Sequence, residues 1–491
     1  MRASGFFRFF RGVYHKGIGM TYPLIIQGGM GAGVSNWQLA QAVSKTGQLG
    51  VISGTALDII VSRRLQLGDP GGHLRRAMRH FPDAEMVDRI LARYYKPANN
   101  SGPQRFKTPP MISLDAEQQT RELTVVSNFA EVFLAKEGHD NPVGTNLLEK
   151  VQLPNLYALY GAMLAGVDYV IMGVGIPREI PGVLDLLAEH QPVSLKIAVG
   201  ALNGNRFQAT FDPKAFFQKA LAPLKRPNFL SIVSSVLLAT MMARKANGRV
   251  DGFVVELPEA GGHNAPPRGK LILNDLGEPV YGDRDAIELE KIKALGLPFW
   301  LAGCWGTPEK LQEALSLGAK GIQIGTALAF SEESGFTDAI KKLAIENIHK
   351  GTASVFTDPS ASPTGFPFKV LSLEGSLSEE DAYQERHRRC DLGFLRHLYE
   401  KPDGKIGYRC PAEPESVFIA KGGNPDDMKG KKCLCNALLS NIGLGQIRKS
   451  GYHENSLVTS GDSIMTIGQF LKDRASYKTE DVINWLMEGA A

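Results

Sequence analysis

Eight short apolar runs, each closing on glycine or a small polar residue, constrain this chain more than any other feature. They begin near residues 23, 49, 142, 168, 229, 251, 298 and 320, and helix-length stretches separate them. Brief apolar runs bounded by turn residues read as strands buried on both faces. Parallel strands need long crossover connections, usually helical. Eight strand–helix units predict a closed (β/α)8 TIM barrel, an α/β fold, rather than an open sheet. The count of eight rests on reading Leu195–Val199 as part of an insertion at about 193–228. A larger excursion covers about 68–140. The barrel is expected over residues 21–350. A mainly helical C-terminal domain is expected over 351–491, where the strand–helix alternation stops. Residues 1–20 read as an N-terminal extension, with Met20 as an alternative start.

In such a barrel every strand C-terminus faces one mouth, where sites are built. The candidate residues stand at those ends: Gly28, Gly29 and Met30, then Asn146, then Ser235. Further along come Glu256, Gly261, Gly262 and His263, then Gly303, and finally Gln323, Gly325 and Thr326. The glycine run after the first strand departs from the dinucleotide fingerprint, because Asn36 stands where the last glycine belongs. A glycine floor that lets a flat ligand lie against backbone is the better reading. The loops after strands seven and eight, Gly303-Cys304-Trp305-Gly306 and Gly325-Thr326, suit a phosphate. One phosphate plus a flat floor predicts FMN as cofactor. Asn146 would reach the ring edge. His263 would act as base or proton donor, since its ordinary pKa lies near neutrality.

Composition excludes several classes. A net charge of +4 without a dense basic block argues against a nucleic-acid partner. No run of eighteen apolar residues is present, so no membrane helix is expected. Five cysteines, an odd number in a long chain, predict a reducing, cytoplasmic setting. The expected partners are a small-molecule substrate, an electron donor or acceptor, and further copies of the chain.

At Ile26-Gln27-Gly28-Gly29-Met30, Glu259-Ala260-Gly261-Gly262-His263, Leu301-Ala302-Gly303 and Leu317–Thr326 the chain resembles the FMN-dependent nitronate monooxygenases (2-nitropropane dioxygenases). The related FMN enoyl reductases of polyunsaturated fatty acid and polyketide synthesis are closer in length. The resemblance runs in order through residues 22–330. It implies a TIM barrel, FMN phosphate on the last two strand ends, and His263 as the base that takes the proton alpha to a nitro group. It leaves two enzyme activities open: oxidation of nitronates or nitroalkanes with dioxygen, and NAD(P)H-dependent reduction of an enoyl thioester such as enoyl-ACP. A non-catalytic flavin- or metal-binding assembly protein is the alternative from another class. After His263 the sequence Asn264-Ala265-Pro266-Pro267-Arg268-Gly269 leaves the usual glycine-rich continuation.

Cys390, Cys410, Cys433 and Cys435 all fall in the C-terminal region. Four thiols match the ligand number of zinc or an iron–sulfur cluster. Their spacing departs from the common Cys-x-x-Cys patterns, so no metal is expected and they read as four small core side chains.

Overall fold

The computed structural model describes residues 22–97, 105–200 and 207–488. The proposed extension at 1–20 lies outside them. Eight parallel strands form one sheet: β1 (Ile25–Gln27), β2 (Gly50–Ser53), β3 (Val143–Leu148), β4 (Tyr169–Gly173), β5 (Asn228–Val233), β6 (Gly252–Glu256), β7 (Phe299–Ala302) and β8 (Gly321–Ile324). Each lies beside its sequence neighbour, and β1 pairs with β8 in parallel register, Ile26 opposite Gln323.

The remaining gap, between β1 and β2, is closed by a side chain. Gln27 donates from Nε2 to the Val51 carbonyl (2.8 Å), and its Oε1 accepts from the Val51 amide (3.2 Å). The backbone adds Gln27 N to Leu49 O (2.9 Å) and Leu49 N to Ile25 O (3.1 Å). A buried carboxamide thus substitutes for a peptide group in the ladder, leaving neither edge unpaired.

Strand side chains alternate between faces. Ile26, Val51, Tyr169, Ile171, Leu230, Val254, Trp300 and Ala302 fill the barrel interior as their own buried cluster. Trp300 fits there because its indole N–H reaches the Pro23 carbonyl (2.8 Å). Two residues further along the same faces are Gly28, Gly173 and Glu256, so the interior ends in a layer of small or polar residues.

The helices form where capping and periodicity place them. Asn36 caps Trp37–Lys45 by accepting from Leu39 N (2.8 Å). Thr307 caps Pro308–Ser316, with Pro308 in the first turn. The excursion before β3 contains His73–Met78, Ala84–Tyr94 and the long helix Gln118–Lys136. The insertion before β5 is an antiparallel hairpin, Val193–Lys196 with Gln208–Phe211, followed by Pro213–Phe217. It stands apart from the barrel sheet, which is why the strand-like piece near 195 adds no ninth strand.

Beyond residue 350 short helices share the chain with two hairpins, Val355–Asp358 with Phe368–Leu371 and His397–Glu400 with Ile406–Arg409. The tail of the mainly helical region expected after 350 breaks into Asp462–Thr466, Ile467–Leu471 and Thr479–Glu488. Lys472 sits at φ 53°, a conformation that does not continue a right-handed helix.

Candidate active site

A cavity of about 210 Å³ opens at the C-terminal end of the barrel. Its walls include twelve of the thirteen candidate positions: Gly28, Gly29, Met30, Asn146, Glu256, Gly261, Gly262, His263, Gly303, Gln323, Gly325 and Thr326. Ser235 is the exception. Its hydroxyl accepts from Leu238 N (3.1 Å) and caps the helix Val236–Lys245, so a strand-end serine that read as a ligand serves its own helix.

The glycine floor is tightly built. Gly28 N donates to Ile324 O (2.7 Å), tying the loop to β8. Ser35 Oγ donates to Gly28 O (2.8 Å) and accepts from Met30 N (3.0 Å), and Ser53 Oγ donates to Gly31 O (2.5 Å). At Gly29 a Cβ would stand 2.2 Å from Cβ of Asn146, so only glycine fits against that side chain. Asn146 is held by its Nδ2, which donates to Ile171 O (3.0 Å).

The loop after β7 turns through two left-handed residues, Gly303 (φ 90°) and Cys304 (φ 56°). Trp305 follows. It is nearly buried, lines the cavity, and its indole N–H has no partner among the described residues. A buried donor left unmade costs about 1–3 kcal/mol, so this one calls for an acceptor on a ligand. Thr326 Oγ1 accepts from Gly461 N (2.9 Å), which leaves its own O–H free to donate. A phosphorylated flat group meets what these residues offer: a side-chain-free floor, a glycine-flanked turn, an unmatched indole donor and a hydroxyl. FMN fits that description.

His263 is positioned by the C-terminal region. Its backbone bridges Phe368, flanked by Lys369 N to Gly262 O (3.0 Å) and Asn264 N to Pro367 O (3.2 Å). Its ring meets Phe368 edge-on at 4.9 Å, and Nε2 lies 2.7 Å from Ser362 Oγ. Asn264 is buried and donates to Pro258 O (2.9 Å), closing the loop behind the histidine. Burial pushes the His263 pKa down to about 4, so the ring is neutral at pH 7. Burial pushes Glu256 up to about 8, so its carboxyl is largely protonated there. His263 and Glu256 are thus both mainly uncharged at neutral pH.

Sequence reasoning missed the contribution of residues 459–466. Thr459 Oγ1 accepts from Gly262 N (2.8 Å), Gly461 touches Thr326, and Ser460, Ser463 and Thr466 complete the wall. A serine-, threonine- and glycine-rich stretch, Thr459-Ser460-Gly461-Asp462-Ser463, was the available signal.

The model of the family described as "Nitronate monooxygenase" matches residues 209–359. Over 157 residues the chain is 26% identical to (3aS,4S,5R,7aS)-5-hydroxy-7a-methyl-1-oxo-octahydro-1H-indene-4-carboxyl-CoA dehydrogenase of Mycobacterium tuberculosis; the match covers 32% of this chain and 39% of that relative. Among solved structures, FabK from Thermotoga maritima aligns at 16% identity over 96% of this chain and 93% of its own, with a TM-score of 0.46. A nitroalkane oxidase from Streptomyces ansochromogenes aligns at 14% identity over 96% and 97%, with a TM-score of 0.42. The segment from 209 to 359, which the family model matches, carries β5 to β8 and His263.

Proposed function

We propose that the protein is an FMN-dependent oxidoreductase of nitronate monooxygenase type, acting on nitronates with dioxygen as oxidant. The observation that carries this reading is the placement of His263. It is fixed over a glycine-floored barrel mouth, on the segment that matches that family. Gly303–Gly306, Gly325 and Thr326 would hold the phosphate, Gly28–Met30 the flat face, and Asn146 with Gln323 the ring edge. FMN, when bound, supplies the electron acceptor and the centre at which dioxygen is reduced.

The protonation states select among substrates. A histidine with a pKa near 4 is a poor base toward a neutral nitroalkane at pH 7. A nitronate has already lost that proton, and a neutral His263 with a protonated Glu256 sets no negative charge against it. Ser362 holds Nε2 of the ring. Nδ1 is then the nitrogen that would bond the substrate.

One finding favours a second reading, an NAD(P)H-dependent reductase of enoyl thioesters. The relative that shares 26% identity is named for a carboxyl-CoA compound. Anaerobic mixing separates the two. Bleaching of bound flavin by propionate 3-nitronate, with none by NADH or NADPH, is expected. Bleaching by a nicotinamide alone would shift the assignment to the reductase. In the same assay His263→Ala should slow flavin reduction by the nitronate roughly 100-fold, the scale of losing one positioned hydrogen-bond group, while flavin is retained; equal loss of both would make the ring structural.

A further inference from the structure

The four C-terminal cysteines, scattered over more than forty residues, converge. Cys390, Cys410, Cys433 and Cys435 all line one small space of about 10 Å³, separate from the barrel-mouth cavity that the fifth cysteine, Cys304, lines. The Cys390 and Cys410 side chains are neighbours. Cys433 Sγ donates to Arg389 O at 3.9 Å. The Asn436 side chain adds Nδ2 to Cys433 Sγ at 3.5 Å.

A fixed cation stands beside the cluster. Arg396 interacts electrostatically with Cys390, Cys410 and Cys435. It is locked there by Nε to Gly393 O (2.9 Å), Nη2 to Ile112 O (2.6 Å) and the Tyr408 ring at 4.6 Å. Four converging sulfurs and a counter-charge are the parts of a tetrathiolate centre. Four thiols around one small space match the ligand number of a single tetrahedral ion.

We propose that Cys390, Cys410, Cys433 and Cys435 bind one divalent ion of the zinc class, as a structural staple. The staple would join the segment around Cys390, the end of the His397–Arg409 hairpin and the start of the helix Leu434–Ser440. Binding exchanges four S–H bonds for four metal–sulfur bonds and releases four protons to solvent, with no change of oxidation state. The resulting centre carries two negative charges, which Arg396 partly offsets. Among the described residues no three such side chains already stand at ion-holding distances, so the ion must draw the sulfurs inward. Closed tetrahedral sites of four cysteine thiolates are a structural form of zinc.

The test uses the full-length protein, purified under reducing conditions without chelators. Elemental analysis should find about one zinc per chain. After removal of that ion, cobalt(II) titration should give intense thiolate-to-metal charge transfer in the near ultraviolet and tetrahedral d–d bands, saturating at one equivalent. Cys433→Ser and Cys435→Ser should each lose these bands, and Cys304→Ser should keep them. If the serine variants fail to fold, the cobalt spectrum of the unaltered chain decides alone. Absence of cobalt uptake with all cysteines free, iron with acid-labile sulfide, or a Cys390–Cys410 disulfide revealed by thiol counting would each overturn the proposal.

Discussion

At the scale of single residues, the mouth is governed by two groups whose environments push them in opposite directions. Glu256 extends the inner face of β6, and its pKa is raised from 4.5 to about 8. Its folded value exceeds its unfolded one, so its contribution to stability is fully present below pH 4.5 and is lost as pH rises through 8. His263 is shifted from 6.5 to about 4, so its contribution is present above pH 6.5 and is lost as pH falls through 4. The alkaline side is the simpler to isolate. Ionised Glu256 would repel a nitronate, so affinity for propionate 3-nitronate should fall above pH 8. Glu256→Gln should remove that fall and should melt progressively higher than the unaltered protein as pH rises from 4.5 to 8. If Glu256→Gln keeps the alkaline limb, some other group governs it.

At the scale of elements, Gly29 in the loop after β1 and Gly47 beyond the helix Trp37–Lys45 look alike in the sequence but are not equivalent. Gly29 is confined by space, since an added Cβ would come within 2.2 Å of Asn146. Gly47 sits at φ 83° with nothing within 4 Å, so it is confined by backbone conformation alone. Gly29→Ala should therefore cost about 1–3 kcal/mol by overpacking and release FMN, whereas Gly47→Ala should cost about 1 kcal/mol and leave FMN content unchanged. Denaturant titration together with flavin content measures both; retention of flavin by Gly29→Ala would remove the argument for a close-fitting floor. The eight strands were legible because each is apolar on both faces and ends at a breaker. The helix Leu57–Gln66 was not, because its first residues follow Ala56 in a left-handed conformation without a side-chain cap. Its Ile59-Ile60-Val61 core also reads as strand. Twelve of the strand-end candidates line the mouth cavity, while Ser235 caps its own helix, because capping and ligand binding call for the same residue type.

At the scale of the molecule, the division near residue 350 marks a change of pattern without a break in packing. One continuous buried cluster runs from Ile25 through the barrel's outer layer to Leu486. Polar ties cross the same boundary. Arg63, wholly buried, donates to Leu444 O (2.5 Å), Gln446 exchanges two hydrogen bonds of 2.9 Å with the Phe106 backbone, and Tyr477 donates to Ala327 O (2.7 Å). Such long-range pairings leave no local trace in a sequence, which is why Ser362, Phe368 and Thr459 went unassigned. Lys369, almost fully buried, joins Thr357 (2.7 Å) to Asp462 (2.9 Å) and so anchors the segment that meets Gly262 and Thr326.

Chains of this length ordinarily unfold in steps, but steps require sub-structures that survive alone. A barrel stripped of residues 459–461 would expose the Gly262 amide and one wall of the cavity, while the C-terminal region would lose most of its shared core. Both parts should therefore unfold together. Single-tryptophan variants can report this, with Trp300 inside the barrel and Trp485 on the last helix. Their denaturation curves should coincide in midpoint and slope. A Trp485 curve that leads the Trp300 curve, with flavin still bound, would establish an independent C-terminal unit. Thr459→Val sharpens the test, because it leaves the Gly262 N–H without its partner at a cost of about 1–3 kcal/mol. In a cooperative molecule that loss should shift both curves equally, whereas in a divided one it should move only the tail and the flavin.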